Sequence, residues 1–595
     1  MFLPTTRDEM KKLGWAGLDV IIVTGDTYVD SPYIGAAAIG KYLYARGYRV
    51  GIIAQPGISD DGDITRLGEP ELFWGVTGGS VDSMVANYTA SDKRRRQDDF
   101  TPGEVNDRRP DRAAIAYTNL IRRFFKNTRP IVLGGIEASL RRVSHYDYWS
   151  NSVRRSILFD AKADYVVYGM GEKATLELAE ALKNAKEKNN FEIKNDLFKI
   201  RGLSFIANAT EFETNGFAQS HLQLPSFEEC SENSPAGKTR FIQMFEMFYN
   251  NTDPKTARGL YQKTGDRYLV QNPPQDLPGQ GELDSYYDLD FERDVAPFYA
   301  SQGKVRALET IRFSITTHRG CYGECNFCAI TVHQGRTILS RSQKSILDEA
   351  GSFVKHKKFH GVISDVGGPT ANMYGYECSK KMKSGVCHDK RCVFPKTCKT
   401  LKPDHMPQLN LLRKLRKTPG IKHVFVASGI RYDLVLDDEK SGREYLADVV
   451  RYHTSGQLKV APEHVDPGVL NLMGKPDNRR LAEFVGAFGQ LSSGPDANQG
   501  GNTSKKQFLT YYFIAAHPGC SDQEMRQARQ YAARQLGMIP EQVQIYTPTP
   551  STWSSVMYYT GLNPFAKTPG GYEKIYVEKN VSGKIRQKEI LTKKY

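Results

Sequence analysis

Alternating strand-like and helix-like segments between residues 305 and 565 constrain this fold more than any other feature. The predicted strands are 309–317, 359–366, 422–428, 457–461, 507–516 and 542–547. Periodic apolar positions predict intervening helices, for example over 342–355, 408–417 and 521–536. Because repeated βα units build parallel sheets, this region predicts either a partial barrel of six units or a doubly wound sheet. In such barrels the chemistry lies on the loops that follow the strands.

The first 185 residues show the same alternation. Apolar runs at 19–25 and 48–54 flank a helical pattern at 34–43 and predict one βαβ unit. Glycines follow two later strands, as Gly134-Gly135 and Gly169-x-Gly171. At the edge of a sheet such glycines either let a ligand approach the backbone or form ordinary turns, and both remain open. The predicted fold class is α/β, with an N-terminal doubly wound sheet followed by a partial (βα)6 barrel.

Composition predicts four segments. Residues 1–185 form the first domain, and residues 186–304 form a connector that packs partly on it, since turn-forming and Lys/Glu/Asn-rich stretches interrupt the alternation there. Residues 305–565 form the barrel, with a cysteine-rich insertion at 375–405, and residues 566–595 form a tail. Neither an apolar run of about 18 residues nor a signal-peptide layout is present, so we expect a cytoplasmic protein with no membrane partner.

Nine cysteines are present, and seven of them lie between positions 321 and 398. In a reducing cytosol such crowding indicates metal or cluster ligation before disulfides. The loop after the first predicted barrel strand contains Cys321, Cys325 and Cys328. Three thiolates leave one iron of a four-iron cluster open, whereas closed zinc sites take four ligands. A zinc site completed by His318, His333 or a later cysteine is the alternative.

This Cys-x3-Cys-x2-Cys loop, with an aromatic residue before its last cysteine, resembles the radical S-adenosylmethionine (SAM) superfamily. The resemblance implies that Cys321, Cys325 and Cys328 hold a 4Fe–4S cluster and that Phe327 packs near the adenine of SAM. It further implies that one-electron reduction cleaves SAM to a 5′-deoxyadenosyl radical, which takes hydrogen from a substrate. An electron donor such as flavodoxin or ferredoxin would then be a partner.

Two further strand ends match motifs of this superfamily. Gly367, Gly368 and Pro369 follow the second strand and resemble the glycine-rich motif that contacts the SAM amino group, here through backbone carbonyls. Ser428 and Arg431 follow the third strand, where the resemblance implies contacts with the SAM carboxylate or ribose. Arg431 is either a carboxylate clamp, which its forked donors would suit, or a structural residue.

Longer stretches resemble the YgiQ-type radical SAM proteins over nearly the whole chain, including 19–30, 134–142 and 365–374. Residues 458–464 also resemble the fourth strand of methylthiotransferase-type members. Neither resemblance supplies a substrate. Catalytic residues beyond the cysteines are not identified, although Tyr374, Asp433, Glu463 and Cys520 lie near strand ends and are otherwise interpreted as structural.

A second group of cysteines lies in the insertion, at Cys378, Cys387, Cys392 and Cys398. The insertion is rich in lysine and too weakly periodic to bury a core of its own, so a bound metal would order it. A second iron–sulfur cluster, a structural zinc ion and free thiols are the three alternatives, and the spacing does not separate iron from zinc. His388 is a possible substitute ligand.

The N-terminal layout also resembles the cobalamin-binding domains that precede many radical SAM barrels. Those domains often carry Asp-x-His-x-x-Gly, whose histidine ligates cobalt. Residues 30–35 here read Asp-Ser-Pro-Tyr-Ile-Gly, with Pro32 in place of that histidine. Histidine ligation is thereby excluded at this position. Cobalamin without a protein ligand stays conceivable, but we do not expect cobalamin among the cofactors.

The chain is basic, with a formal net charge of 81 − 67 = +14. Such a balance fits RNA or another anionic partner, and it equally fits charge spread over a large surface. Two functions follow. The first is a radical SAM enzyme acting on an unidentified substrate, with RNA among the candidates. The alternative is a non-enzymatic zinc or iron–sulfur protein that binds RNA through a basic surface, and the strand-end motifs favour the enzyme.

Overall fold

The computed structural model describes residues 1–188, 194–493 and 507–593. The chain divides into two compact units, the first comprising Met1–Leu277 and Ser285–Arg312 and the second comprising Pro278–Asp284 and Phe313–Tyr595. Within the described ranges, no helix combines the length and the apolar character needed to cross a bilayer.

A nine-stranded sheet organises the first unit. In spatial order its strands are Val50–Ala54, Val20–Thr24, Phe73–Thr77, Ile131–Gly134, Tyr165–Val167, Leu203–Ala207, Arg267–Gln271, Gly259–Thr264 and His221–Gln223. Its first five strands are parallel, and Val20–Thr24 pairs with Val50–Ala54 on one side and Phe73–Thr77 on the other. Both Val20–Thr24 and Val50–Ala54 are buried along their whole length, as parallel strands covered on both faces must be.

The sheet is mixed, because its later strands reverse direction. Leu203–Ala207 runs antiparallel to Tyr165–Val167, and the hairpin of Gly259–Thr264 and Arg267–Gln271 continues the sheet. Strands at 203–207, 221–223 and 259–271 thus lie in the region where the sequence pattern is irregular. Up to residue 312 the helices are Arg7–Lys12, Gly35–Tyr44, Ser83–Asn87, Ala113–Phe124, Gly135–Leu140, Ile157–Ala161, Glu172–Lys188, Lys194–Leu197, Ala209–Thr214, Phe217–Ser220, Phe227–Ser231, Pro235–Asn250, Gln280–Tyr287, Pro297–Ala300 and Ala307–Ile311.

The second unit is built on short parallel strands. They are Ser314–Thr316, Val362–Ile363, Asp365–Gly367, His423–Val424, Gln457–Glu463, Phe508–Ala515 and Gln542–Ile545, with a small antiparallel pair of His318–Arg319 and Leu339–Ser340. Ser314–Thr316 pairs with Asp365–Gly367, and Phe508–Ala515 pairs with both Gln457–Glu463 and Gln542–Ile545. Val362–Ile363 pairs with His423–Val424, and all of these pairs are parallel. The α/β class is confirmed, while closure into a six-unit barrel stays a prediction.

The predicted strand at 309–317 is wrong in its first half. Ala307–Ile311 is a helix, and only Ser314–Thr316 forms a strand. Ala307 and Leu308 are buried, and Ile311 packs against the same apolar cluster. Apolar residues four apart share one helical face, and this spacing accounts for the helix.

The remaining helices alternate with the strands of the second unit. They are Ile330–Gln334, Gln343–Val354, Ser379–Ser384, Met406–Lys417, Tyr432–Asp437, Gly442–Tyr452, Pro467–Met473, Arg479–Ser493, Asp522–Tyr531, the π-helical segment Ala532–Leu536, Trp553–Thr560 and Val581–Thr592. The last helix follows a hairpin of Leu562–Thr568 and Gly571–Lys574. Its buried Gln587 accepts from the backbone N–H of Ala516 (2.9 Å) and donates to the carbonyl of Cys520 (3.0 Å). The C-terminal helix thus supports the end of the strand Phe508–Ala515.

Candidate active site at the cysteine loop

Three cysteines lie in the loop after the strand Ser314–Thr316. A Cβ atom built on Gly323 would lie 3.2 Å from Cys321 Sγ and 3.8 Å from Cys325 Sγ, so the two thiols border the side of Gly323 that lacks a side chain. The backbone N–H of Gly323 donates to Cys321 Sγ (3.4 Å), and the N–H of Cys328 donates to the carbonyl of Cys325 (3.0 Å). The loop therefore turns its predicted cluster ligands toward one another.

Burial dominates the electrostatics of two of these thiols. Burial, together with the neighbouring Cys325 and Cys321, raises the pKa of Cys328 to about 12. Burial also raises the pKa of Cys321, against partial opposition from Thr370 and Arg431. Thiols of raised pKa are protonated at neutral pH, so binding a metal here releases protons.

The donor set fits a cluster. Within the described ranges, no three His, Cys, Asp or Glu side chains converge on one position for a single metal ion. A four-iron cluster binds each thiolate through a different iron, so its ligands need not meet at one point. Cys321 and Cys325 beside Gly323, with Cys328 electrostatically coupled to both, supply such ligands, and these three are the residues that would hold it.

The C-terminal end of the later helix Pro467–Met473 fixes the middle of this loop. The backbone N–H of Asn326 donates to the carbonyl of Met473 (2.8 Å), and its side-chain amide donates to the carbonyl of Leu472 (2.8 Å). Phe327, the predicted adenine neighbour, lies edge-on to the ring of His517, with centroids 6.3 Å apart. The aromatic position is thus partly buried against the unit's core.

The glycine-rich motif packs against a histidine that sequence reasoning assigned only to the zinc alternative. A Cβ atom on Gly368 would lie 2.5 Å from His318 Nε2, so only glycine permits this contact. Burial lowers the pKa of His318 to about 4, so the ring is neutral at pH 7. The carbonyl of Gly367 accepts from the N–H of Thr317 (2.8 Å), and Pro369 follows half-buried. Adjacency to the cysteine motif was the only sequence signal for His318.

Asp365 positions Ser428, and sequence reasoning missed this role. One carboxylate oxygen of Asp365 accepts from the N–H groups of Ala427 (2.8 Å) and Ser428 (3.2 Å), and the other accepts from the Ser428 hydroxyl. The carboxylate therefore joins the ends of two neighbouring strands. Its place immediately before the glycine-rich motif was the available signal.

Arg431 forms an ion pair with Asp433, two residues farther along the same segment. Its guanidinium donates to both carboxylate oxygens of Asp433, with Nε at 3.0 Å and 3.2 Å. Burial lowers the pKa of Arg431, but the Asp433 carboxylate outweighs burial and raises the pKa overall. The same guanidinium lies 3.2 Å from the position of a Cβ on Gly323, beside the two thiols. Arg431 thus places a positive charge at the cysteine loop, and the SAM-carboxylate clamp stays a prediction.

The other strand-end candidates make local contacts. The Tyr374 hydroxyl donates to the carbonyl of Arg341 (3.0 Å), and Cys520 Sγ lies 3.5 Å from Nε2 of His464. Glu463 lies 3.8 Å from the amine of Lys475 and adopts a positive φ of 68°. Because that backbone region is strained for a residue with a side chain, Glu463 is the candidate that most merits a functional test.

The four cysteines of the insertion line one cavity, together with Glu324 of the cysteine loop. Burial raises the pKa of Cys392 to about 12, whereas hydrogen bonds from Thr400 lower that of Cys398. His388, the alternative ligand, is exposed. The four cysteines line one cavity, while metal binding there and the identity of the metal stay predictions.

Glycines in the first unit pack against the protein's own side chains. A Cβ atom on Gly78 would lie 2.2 Å from Glu137 Oε2, and one on Gly135 would lie 2.4 Å from Thr77 Oγ1. Gly135 and Gly169 have φ values of 77° and 76°. Of the two alternatives for the glycine pairs, these contacts support strand-to-helix turns.

Two family models match this chain. Residues 2–314 match the family described as Radical SAM N-terminal. Residues 541–594 match a domain of unknown function, DUF3362. The first match covers more than half of the chain, and the predicted radical SAM membership is confirmed.

A solved structure shows the same fold. The radical SAM methyltransferase TsrM from Kitasatospora setae, with cobalamin and a 4Fe–4S cluster bound, aligns at a TM-score of 0.50 and 14% identity, covering 94% of this chain and 84% of that one. The expectation that cobalamin is not among the cofactors is contradicted by this neighbour. The expectation relied on Pro32 standing where a cobalt-ligating histidine is often found, and that single position does not decide whether cobalamin binds.

Two relatives align with this chain from end to end. A UPF0313 protein of Fusobacterium nucleatum is 54% identical over 594 residues, covering 100% of this chain and 99% of the relative. A UPF0313 protein of Thermotoga neapolitana is 49% identical over 595 residues, with the same coverage of both chains. The chain therefore belongs to the UPF0313 proteins and, through residues 2–314, to the Radical SAM N-terminal family.

Proposed function

We propose that this protein is a radical SAM enzyme that modifies an unidentified substrate by means of a 4Fe–4S cluster held by Cys321, Cys325 and Cys328. The observation that carries the proposal is the arrangement of Cys321, Cys325 and Arg431 around the bare side of Gly323. When bound, the cluster supplies the electron that cleaves SAM to a 5′-deoxyadenosyl radical. A flavodoxin- or ferredoxin-type donor would deliver that electron.

The positive charge of Arg431 supports cluster binding by the cysteine loop. Three deprotonated thiols are stabilised by a nearby cation, and the Arg431 guanidinium is adjacent to two of them. The Asp433 carboxylate holds that guanidinium in place. Arg431 therefore acts as a positioning and electrostatic residue for the loop, in addition to any contact with the carboxylate of SAM.

The next strand ends supply the SAM surface in this proposal. Gly367, Gly368 and Pro369 would offer backbone carbonyls to the amino group, and Ser428 would offer its hydroxyl. Asp365 fixes the orientation of Ser428 through the hydrogen bonds described above. Neutral His318 fills the space beside Gly368 without adding a charge that would repel the ammonium group.

The test is anaerobic reconstitution of the full chain, followed by two measurements. Iron and sulfide per chain are determined first, and 5′-deoxyadenosine formed from SAM after chemical reduction is determined second. Cys325→Ala is expected to lose both the iron of this site and 5′-deoxyadenosine formation. Cys230→Ala is the matched control, because Cys230 is a buried cysteine of the first unit and is expected to leave both values unchanged.

Either of two results would refute the proposed radical SAM activity. One is a wild-type protein that binds stoichiometric zinc and no iron, and the other is an iron-loaded protein that forms no 5′-deoxyadenosine. The first result would favour the RNA-binding alternative, which further requires a steep salt dependence of RNA affinity. Family membership favours the enzyme over that alternative.

Cobalamin enters the proposal through the likeness to TsrM. Hydroxocobalamin is added during reconstitution, and the cobalt retained per chain after gel filtration is measured. Retention of about one cobalt would assign a cobalamin-dependent reaction, in keeping with that neighbour's printed description as a methyltransferase. Absence of cobalt would restrict the proposal to cluster and SAM.

A further inference from the structure

The insertion places four thiols around one cavity. Cys378, Cys387, Cys392 and Cys398 all line it, although the first and the last lie 20 positions apart in the chain. The N–H of Cys398 donates to the carbonyl of Cys392 (2.8 Å), which brings the last two cysteines together. Four cysteines are the ligand set of closed zinc sites and of four-iron clusters alike.

Cationic side chains surround the same cavity. The amine of Lys381 lies 3.8 Å from Cys392 Sγ, and Lys380, Lys390 and Arg391 also line the cavity. Lys381 is 3% exposed, donates to the carbonyl of Arg336 (2.8 Å) and is also paired with the carboxylate of Glu377 (2.9 Å). Four thiolates around a doubly charged metal centre carry a net charge of about −2, which buried and neighbouring cations stabilise.

The insertion is connected to the cysteine loop. Arg391 Nη1 donates to the carbonyl of Glu324 (3.0 Å), a residue between Cys321 and Cys325. Glu324 has a positive φ of 48° and lines the insertion's cavity. Such a backbone conformation persists where surrounding contacts impose it, and Arg391 supplies one of those contacts.

We propose that Cys378, Cys387, Cys392 and Cys398 bind a second thiophilic metal centre, which orders residues 375–405 and, through Arg391, holds Glu324 in the first loop. Binding replaces the thiol protons by bonds to the metal, so up to four protons leave for solvent and no electron is transferred. A 4Fe–4S cluster and a zinc ion share this ligand chemistry. Within the described residues, however, no three of these side chains converge on one point, so a zinc ion would bind only after the thiols move together. A four-iron cluster binds each thiolate through a different iron and fits the cavity as it stands. The site consists of residues outside the proposed SAM-cleaving set and does not depend on it.

The first test isolates the insertion's metal. Cys321, Cys325 and Cys328 are replaced together by serine in the full chain, which is reconstituted anaerobically with iron and sulfide, or with zinc. We expect this protein to retain either about four irons or about one zinc per chain. Retention of neither metal by a protein with the circular dichroism of wild type would overturn the proposal.

A second variant keeps the test decisive if the triple substitution misfolds. Cys387→Ser/Cys398→Ser removes two half-exposed ligands, and Cys230→Ala again serves as the cysteine control. The double variant is expected to lose about four irons or about one zinc relative to that control. An unchanged metal content would refute the site. Because this loss is measured by metal content, it is visible whether or not 5′-deoxyadenosine forms.

A third measurement reports the order that the metal imposes. The insertion carries exposed tryptic sites at Lys380, Lys383, Lys390, Lys396 and Lys399. Limited trypsin digestion, mapped by mass spectrometry, is expected to cut here at least about tenfold faster after chelation or in the double variant. Equal cleavage with and without metal would contradict an ordering role. The free energy equivalent to a tenfold change is about 1.4 kcal/mol.

Discussion

Removing the Arg431 guanidinium is expected to destabilise the second unit strongly. The two side chains of the Arg431–Asp433 pair are 12% and 10% exposed, so Arg431→Met leaves a buried carboxylate without its partner. Breaking a buried pair in this way costs about 3–5 kcal/mol. At about 2 °C per kcal/mol for a unit of this size, Tm falls by about 6–10 °C.

A double-variant cycle tests the reasoning. Arg431→Met/Asp433→Leu removes both charges and is expected to recover most of the lost stability, because a buried pair replaced by apolar groups is often neutral. Arg479→Met is the matched control, since Arg479 pairs with Asp477 at the same spacing but is 88% exposed, and solvent screening is expected to leave its Tm close to that of wild type. Thermal unfolding is followed by circular dichroism at pH 7. A single-variant cost equal to the control's, or a double variant no more stable than the single, would refute the buried-pair argument.

Three further variants test the site and its support. Gly368→Ala is expected to lower SAM affinity at least about tenfold, because its Cβ would lie 2.5 Å from the ring of His318. The control is Gly486→Ala in a helix, whose Cβ would meet no atom within 4 Å and which should leave the SAM affinity measured by calorimetry unchanged. The free energy of unfolding should fall as pH drops from about 6.5 to 4. Burial lowers the pKa of His464 to about 4, so in this range the unfolded state binds a proton that the folded state does not. His464→Asn should therefore flatten the dependence of the unfolding free energy on pH, measured by urea titration. Gln587→Ala leaves two buried backbone groups unpaired and should cost about 1–3 kcal/mol by the same titration, and a cost near zero would contradict the supporting role of the C-terminal helix.

Local patterns of apolar residues correctly predicted the strands that are fully buried. The apolar runs at 19–25 and 48–54 correspond to Val20–Thr24 and Val50–Ala54, and the absence of charged residues from both of these segments suits a strand covered on both faces. The hairpin of Gly259–Thr264 and Arg267–Gln271 was missed. Its two-residue connection, Gly265-Asp266, was the available signal.

Side-chain pairing in the site lay beyond the sequence. The spacing of the cysteines predicted their grouping, because ligands of one loop are constrained by the few bonds between them. Nothing in the spacing indicated that the carboxylate of Asp433 would pair with the guanidinium of Arg431, or that the ring of His318 would lie against Gly368. Those contacts depend on how separate strand ends meet, which is a property of tertiary packing.

The middle of the cysteine loop is anchored at Asn326 by distant parts of the second unit. Asn326 bonds to the carbonyls of Leu472 and Met473, and its own carbonyl accepts from the N–H of Ser554 (2.9 Å). These partners come from two later helices of the unit, so the positions of Cys325 and Cys328 depend on segments about 150 and 230 residues farther along the chain. Substitutions in those helices are therefore expected to alter cluster binding without touching a ligand, and a short peptide carrying the motif would lack the contacts that orient its thiols.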